Sequence, residues 1–301
     1  MRPPCAGAGS WAPHSLAEHH VVGGCQTPPM NDATRIGSRA RDGVAPATSD
    51  LAGRRILVIG GGQDDRGFPD DAPVGNGRAI TVLAARHGAS VAVTDLVAER
   101  AEGTAALARS AGASVHVFAA DAGDEPAMRA VFADALDALG GLDGIVANVG
   151  IGGPAWLTGT SAEQWDRVFG ANVRSHFLAC KLGMEHLADD SSIVLVASVA
   201  GTRSGSRIPS YDSSKAALAG LARHAAFEGQ RRHIRVNVVA PGLIDTSIGR
   251  EATRHRPSRT AGRLPLGREG TGWEVAELVC FLLGDRSSYV NAQWIGVDGG
   301  L

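Results

Sequence analysis

The sequence predicts an α/β protein, a single doubly wound parallel sheet of seven strands with helices on both faces. Two observations carry that prediction. From Arg54 onward, short β-branched runs alternate with longer Ala-rich stretches of helical period, which is the pattern of βαβ units. A glycine cluster also follows the first strand, where the chain must turn into a helix. The 301 residues, 44% hydrophobic and 20% charged, are enough to bury a sizeable core.

Residues 1–50 stand apart from this pattern. They hold six of the fourteen prolines and show no apolar periodicity, so a disordered extension is expected there and a folded domain over 51–301. Met30 offers an alternative start. His19, His20 and Cys25 lack a fourth ligand, and no metal site is expected. Strands are expected at Ile56–Ile59, Ser90–Thr94, Ser114–Ala119, Gly144–Ala147, Ile193–Ala197, Arg235–Val239 and Gln293–Val297. Helices are expected at Arg78–Arg86, Ala98–Ser110, Glu125–Leu139, Ser161–Leu187, Ser213–Gly229 and Trp273–Leu283. The fourth helix opens with a capping box, Ser161 and Gln164. Right-handed crossovers then put a ligand at the C-terminal ends of the strands.

A formal charge of -2 gives no reason to expect nucleic acid or an anionic membrane surface as a partner. Cys5, Cys25, Cys180 and Cys280 have neither zinc-ligand spacing nor the density of a disulfide framework. No run approaches a membrane span or a secretory signal, so a cytoplasmic protein is the expectation.

The first strand runs into Gly60-Gly61-Gly62-Gln63, and Gly75-Asn76-Gly77 opens the next helix. Such glycines let backbone amides approach a pyrophosphate at a helix N-terminus. Glycine turns of purely structural purpose look the same. Gly60 and Gly75 are fifteen residues apart because residues 64–74 form an insertion rich in Asp, Pro and Gly, read either as a flap over the cofactor with Phe68 as a packing residue or as a surface loop. No Gly-Lys-Ser/Thr follows, which excludes a triphosphate-binding loop. Asp95 ends the second strand eighteen residues after Gly77, where a carboxylate accepts hydrogen bonds from both ribose hydroxyls of NAD and repels the 2'-phosphate of NADP. Leu96 and Val97 bring no compensating cation, so NAD is expected over NADP, with Arg66 the one residue placed to reverse this. The bland alternative for Asp95 is a helix cap.

Tyr211 and Lys215 lie one helical turn apart on a common face. An ammonium beside a phenol favours the phenolate, so such a pair can exchange a proton near neutral pH. Ser198, thirteen residues before the tyrosine at a strand end, can hold a substrate oxygen beside it.

With these motifs in this order, residues 54–301 resemble the short-chain dehydrogenase/reductase family. Asp121, followed by Ala122, stands where the family contacts adenine. Asn148 and Gly150 stand in the family's Asn-Ala-Gly segment, here Ala147-Asn148-Val149-Gly150. Asn172, Ser198, Tyr211 and Lys215 match the catalytic asparagine, serine, tyrosine and lysine. Pro241, Gly242, Ile244 and Thr246 match the nicotinamide-binding segment, with Thr246 on the carboxamide, and the ending Val297-Asp298-Gly299-Gly300 is also shared. The chain departs from the pattern at Ile59, where threonine is usual, at the insertion, and at Asn291-Ala292.

The resemblance implies a Rossmann fold and hydride transfer between nicotinamide and an alcohol or ketone. Tyr211 would be the general acid/base, Lys215 its pKa-lowering partner and ribose ligand, Ser198 the orienting group, and Asn172 part of a water relay to Lys215. It also implies pairing of the fourth and fifth helices across a homotetramer or homodimer. A 3-hydroxyacyl thioester dehydrogenase or 3-oxoacyl reductase is the alternative enzyme, and a non-catalytic dinucleotide sensor the alternative class. Six arginines, Arg250, Arg254, Arg256, Arg259, Arg263 and Arg268, crowd the stretch between Thr246 and Glu269, with Arg203 and Arg207 nearby. They suit an anionic substrate. A solvated lid or a subunit contact explains the same arginines.

Overall fold

Parallel strands covered on both faces should read as near-continuous apolar runs, and those of this chain do. The computed structural model describes residues 50–64, 72–254, 260 and 264–301. Its strands, in chain order, are β1 Arg55–Ile59, β2 Ser90–Asp95, β3 Val115–Ala119, β4 Gly144–Ala147, β5 Ser192–Val196, β6 Arg235–Pro241, β7 Ile244–Asp245, β8 Gly270–Thr271 and β9 Trp294–Val297. Seven of them form the central sheet in the order β3-β2-β1-β4-β5-β6-β9, every pair parallel. Each of the seven expected strands is present, with ends shifted by no more than two residues.

The helices are α1 Asn76–Arg86, α2 Ala98–Arg109, α3 Glu125–Leu139, α4 Ala162–Phe169, α5 Ser175–His186, α6 Pro209–Gly229, α7 Ser247–Arg254 and α8 Gly272–Leu283. Two apolar clusters fill the space on either side of the sheet. One joins α1, α2 and α8 to Ile56, Val58, Val91 and Val93. The other joins α3, α5 and α6 to Leu57, Ile59, Ile193 and Leu195. Alternate residues of β1 therefore feed opposite clusters, as the period of a strand requires. Both capping boxes, Ser161 with Gln164 and Thr271 with Glu274, are formed.

Three features differ from expectation. The expected helix over 161–187 is α4 and α5 joined by a π-turn at Gly170–Arg174, a widening that carries the buried Asn172. Such turns persist where side-chain bonds compensate for the poorer ladder, and Asn172 makes three. Helix α6 starts at Pro209 rather than Ser213, with the proline in the first turn where its missing N–H costs nothing. The short β7·β8 pair and α7 had no apolar period long enough to announce them. Of the expected extension only Asp50 lies among the described residues, bonded to Arg286 at 2.8 Å.

Candidate active site

The strand order reverses between β1 and β4, and the crevice at their C-terminal ends is where an open α/β sheet takes a ligand. Gly60 leaves β1 with φ of +82°. A Cβ on Gly77 would lie 2.1 Å from the Gly60 carbonyl oxygen, so the two glycines touch and the turn is closed despite the insertion. Asn148, leaving β4, pins this turn: its Nδ2 donates to the Gly60 carbonyl at 2.8 Å and its backbone N–H to that of Ile59 at 2.9 Å. Helix α1 then begins at Asn76 after Gly75, with no side chain capping its first amides. Uncapped amides on a closed glycine turn fit a diphosphate.

Asp95 ends β2 with both oxygens engaged on one side. Oδ2 accepts the Gly62 N–H at 3.1 Å and Oδ1 the Val97 N–H at 3.2 Å. A Cβ on Gly62 would come within 2.6 Å of Oδ2, so only glycine lets the carboxylate sit there. Arg100 pairs with Asp64 at 3.1 Å. Arg66 and Phe68 lie outside the described residues. Asp121 is exposed beyond β3 and accepts the Gly123 N–H at 2.8 Å, with Ala122 buried beside it.

At the other end of the crevice, Ser198 follows β5 and its Oγ accepts the Ala200 N–H at 3.2 Å, capping a short turn, Val199–Gly201. A Cβ on Gly201 would lie 2.8 Å from the Ala216 nitrogen, so this glycine lets the serine turn press directly on α6. Tyr211 sits in the first turn of α6. Lys215, one turn later and 3% exposed, holds its ammonium 5.8 Å from the Tyr211 ring centroid while donating to the Val196 carbonyl at 3.0 Å. Burial lowers the Lys215 pKa to about 8. Gly150 makes room for it, since a Cβ there would be 3.0 Å from Nζ.

Asn172 is completely buried. Its Oδ1 accepts the Ile151 N–H at 2.7 Å, and its Nδ2 donates to the Ile151 carbonyl at 3.0 Å and to Ser214 Oγ at 2.9 Å. The π-turn thus ties the segment after β4 to α6. One turn beyond, His176 is also fully buried, with Nδ1 3.1 Å from Ser175 Oγ. The carbonyls of Val196 and Ala147 lie beside the ring, without a hydrogen bond of regular geometry to Nε2. Burial first, and the Lys215 charge second, push its pKa down to about 3, so the imidazole is neutral.

The segment expected to border nicotinamide follows β6. Pro241 ends that strand, and the Gly242 N–H donates to the Val297 carbonyl at 2.9 Å. A Cβ on Gly242 would lie 2.7 Å from Asp298 Cα. Ile244 is buried in β7, and Thr246 Oγ1 accepts the Gly249 N–H at 3.0 Å at the start of α7.

The arginine cluster is partly neutralised by carboxylates from outside the stretch. Arg250 grips Asp245 through two bonds of 2.7 and 3.0 Å, and Arg268 grips Glu274 at 2.7 and 2.9 Å. Arg254 ends α7, whereas Arg256, Arg259 and Arg263 lie outside the described residues. Arg203 is exposed. Arg207 lies 5.4 Å over the Trp156 ring, at a cavity of about 510 Å³ beside the start of α6 that Asp212 also lines.

Sequence reasoning assigned no role to Gln63, Trp156, His176, Gly201 or Ser214. Ser214 alone carried a signal, its position between Tyr211 and Lys215. The others are visible only once distant strands converge.

Fold and site together define an oxidoreductase that binds a nicotinamide dinucleotide. A family model described as enoyl-(acyl carrier protein) reductase matches residues 73–301. Over 254 residues the chain is 33% identical to 2-(S)-hydroxypropyl-CoM dehydrogenase 3 of Xanthobacter autotrophicus, covering 82% of this chain and 95% of that one. Over 232 residues it is 34% identical to the 3-oxoacyl-acyl-carrier-protein reductase FabG of Thermotoga maritima, covering 76% and 94%. The crystal structure of a dehydrogenase/reductase from Sinorhizobium meliloti 1021 superposes with a TM-score of 0.77 at 32% identity, covering 84% of this chain and 96% of that one. The chain belongs to the short-chain dehydrogenase/reductase family, and it is an NAD(P)-dependent oxidoreductase of alcohols and ketones.

Proposed function

We propose that residues 51–301 are the catalytic domain of an NAD-dependent dehydrogenase of a secondary alcohol, with Tyr211 carrying the proton. The observation that supports this most is the buried Lys215 ammonium 5.8 Å from the Tyr211 ring. A charge held in a low-dielectric pocket lowers the cost of the phenolate far more than it would in water.

The chain's own groups divide the work. Gly60, Gly62, Gly75, Asn76 and Gly77 cradle a pyrophosphate, whose approach the missing side chains permit. Asp95 takes the adenosine ribose hydroxyls and disfavours a 2'-phosphate, which supports NAD over NADP. Asp121 and Ala122 border the adenine, and Asn148, Gly150, Pro241, Gly242, Ile244 and Thr246 border the nicotinamide half. The dinucleotide, when bound, supplies the hydride acceptor or donor. Ser198 orients the substrate oxygen, Tyr211 exchanges a proton with it at the phenol oxygen, and Lys215 keeps that phenol near its working pKa while reaching the ribose. Asn172 acts by holding the π-turn against α6, and its side-chain bonds to Ile151 and Ser214 support this structural part of the relay.

A second enzyme reading, reduction of a 3-oxoacyl thioester, is favoured by the FabG relative and by the description of the matching family model. Arg207 over Trp156 supports an anionic group on the substrate in either reading. Exposed Phe177 on α5 and Phe227 on α6 support a homodimer or homotetramer through those helices. The buried thiols Cys180 and Cys280 are consistent with a reducing cytoplasm.

The test follows nicotinamide absorbance over a panel of secondary alcohols, ketones and 3-oxoacyl thioesters with both cofactors, for the parent and Tyr211→Phe. We expect NAD-linked turnover that falls by about 10²–10⁴-fold in the variant. Turnover at the parent rate in Tyr211→Phe overturns the assignment. Binding without turnover across the panel returns the sensor reading.

A further inference from the structure

The glycine turn of this chain is interrupted between Gln63 and Gly75, yet its two halves meet as though no insertion were there. Gly77 touches Gly60, and Gly62 touches Asp95. Something must hold the two ends of residues 64–74 together at the spacing that a continuous chain would give by its covalent bonds. Flanking contacts root each limb. On one side Asp64 pairs with Arg100 at 3.1 Å, a half-exposed pair of small energetic weight. On the other, Val74 packs on the core, and Gly272 at the start of α8 lies so close that a Cβ there would be 2.5 Å from the Val74 carbonyl oxygen. Neither contact joins limb to limb.

Gln63 does. It is 9% exposed, and its Oε1 accepts the Gly75 N–H at 2.9 Å across the neck of the insertion. Gly75 is the residue immediately before α1, with φ of -70° and ψ of 155°, so its orientation sets where the first amides of that helix point. Glutamine has the reach for this bond, and its amide oxygen can accept without placing a carboxylate beside an anion site.

We propose that Gln63 is a positioning residue, a clasp that closes the interrupted glycine turn and keeps the α1 amides in register for the cofactor pyrophosphate. The proposal rests on the reading that this turn cradles a dinucleotide. Its sharpest consequence is conditional: the clasp matters only while the insertion separates Gln63 from Gly75. When the two residues are joined directly, the peptide bond does the same work.

The experiment has a cofactor-free arm and a cofactor arm. In the first, amide hydrogen exchange at Gly75 is compared between the parent and Gln63→Met, which keeps the side-chain volume and loses the acceptor. Exchange should quicken by about tenfold in the variant, the equivalent of a lost hydrogen bond. Unchanged protection overturns the clasp. In the second arm, NADH binding is titrated by fluorescence for the parent, Gln63→Met, a chain lacking 64–74, and Gln63→Met in that shortened chain. The dissociation constant should rise about five- to tenfold in Gln63→Met and change by less than about twofold when the same substitution is made without the insertion. Equal weakening in both backgrounds, or none in the parent, overturns the proposal.

A third background replaces 65–71 by the same length of Gly and Ser, which keeps the gap open without its native sequence. Gln63→Met should weaken NADH there as in the parent, and an unchanged constant counts against the clasp even where the shortened chain does not fold. A parent that binds neither NADH nor NADPH sinks the cofactor reading instead, and the exchange arm still decides the fate of the clasp.

Discussion

The side-chain amide of Asn172 donates to the hydroxyl of Ser214 at 2.9 Å, and that hydroxyl donates onward to the backbone carbonyl of Tyr211 at 2.7 Å. The π-turn between α4 and α5 and the first turn of α6 are thereby one hydrogen-bonded unit. Ile151 joins it through both of its backbone groups.

Asn172→Ala should therefore destabilise the fold by about 2–4 kcal/mol, because it strands buried partners rather than merely deleting a contact. Ser214→Ala should couple to it. A double-mutant cycle by urea unfolding should return an interaction term of roughly 1 kcal/mol. Strict additivity would show that the two side chains act separately. The kcat of Asn172→Ala should fall together with stability, since Tyr211 hangs from the same bonds.

Lys215 gives a pH signature in the cofactor-free protein. Its folded pKa of about 8 lies below the ordinary 10.5, so between those values the unfolded chain binds more protons at this site than the folded one. The residue's contribution to stability accordingly rises with pH through that window and is unfavourable at neutrality. Lys215→Met should be more stable than the parent at about pH 7, by on the order of 3 kcal/mol, with the gain shrinking toward about pH 10. A gain that does not shrink with pH places the ammonium in water instead.

His176 gives the opposite end of the range. Its pKa is lowered from 6.5 to about 3, so its neutral form favours the fold fully above pH 6.5, and that advantage is lost as pH falls toward 3. By about pH 4 the parent should have lost on the order of 3 kcal/mol through this group. Melting curves of His176→Leu should show that portion of the acid sensitivity removed. Identical acid profiles for the two proteins would mean that the imidazole titrates normally.

Much of this architecture was legible in the sequence, for identifiable reasons. The sheet strands are short runs rich in β-branched residues, the five inner ones largely buried, which is the easiest pattern to see, and Tyr211, Lys215 and Ser198 stand in local motifs. Asn172 was legible as a residue but not as a π-turn, because a widened turn leaves no mark in a helical period. The insertion raised doubt about the glycine turn that only the contact of Gly60 with Gly77 resolves. The arginines between Thr246 and Glu269 stand out in the sequence as a cluster of positive charge. Asp245 and Glu274, which neutralise two of them, lie just outside that stretch. His176 was invisible because a lone histidine in a helix gives no hint of the carbonyls and ammonium that will surround it.

The two-residue ladder of β7 and β8 pairs Ile244 with Gly270 and Asp245 with Thr271. It brings the two ends of the stretch between Thr246 and Glu269 side by side. Closing a loop costs only about 0.6 kcal/mol more for each doubling of its length. Residues can therefore be added to or taken from this stretch at small entropic cost, with the register of the central sheet left as it is.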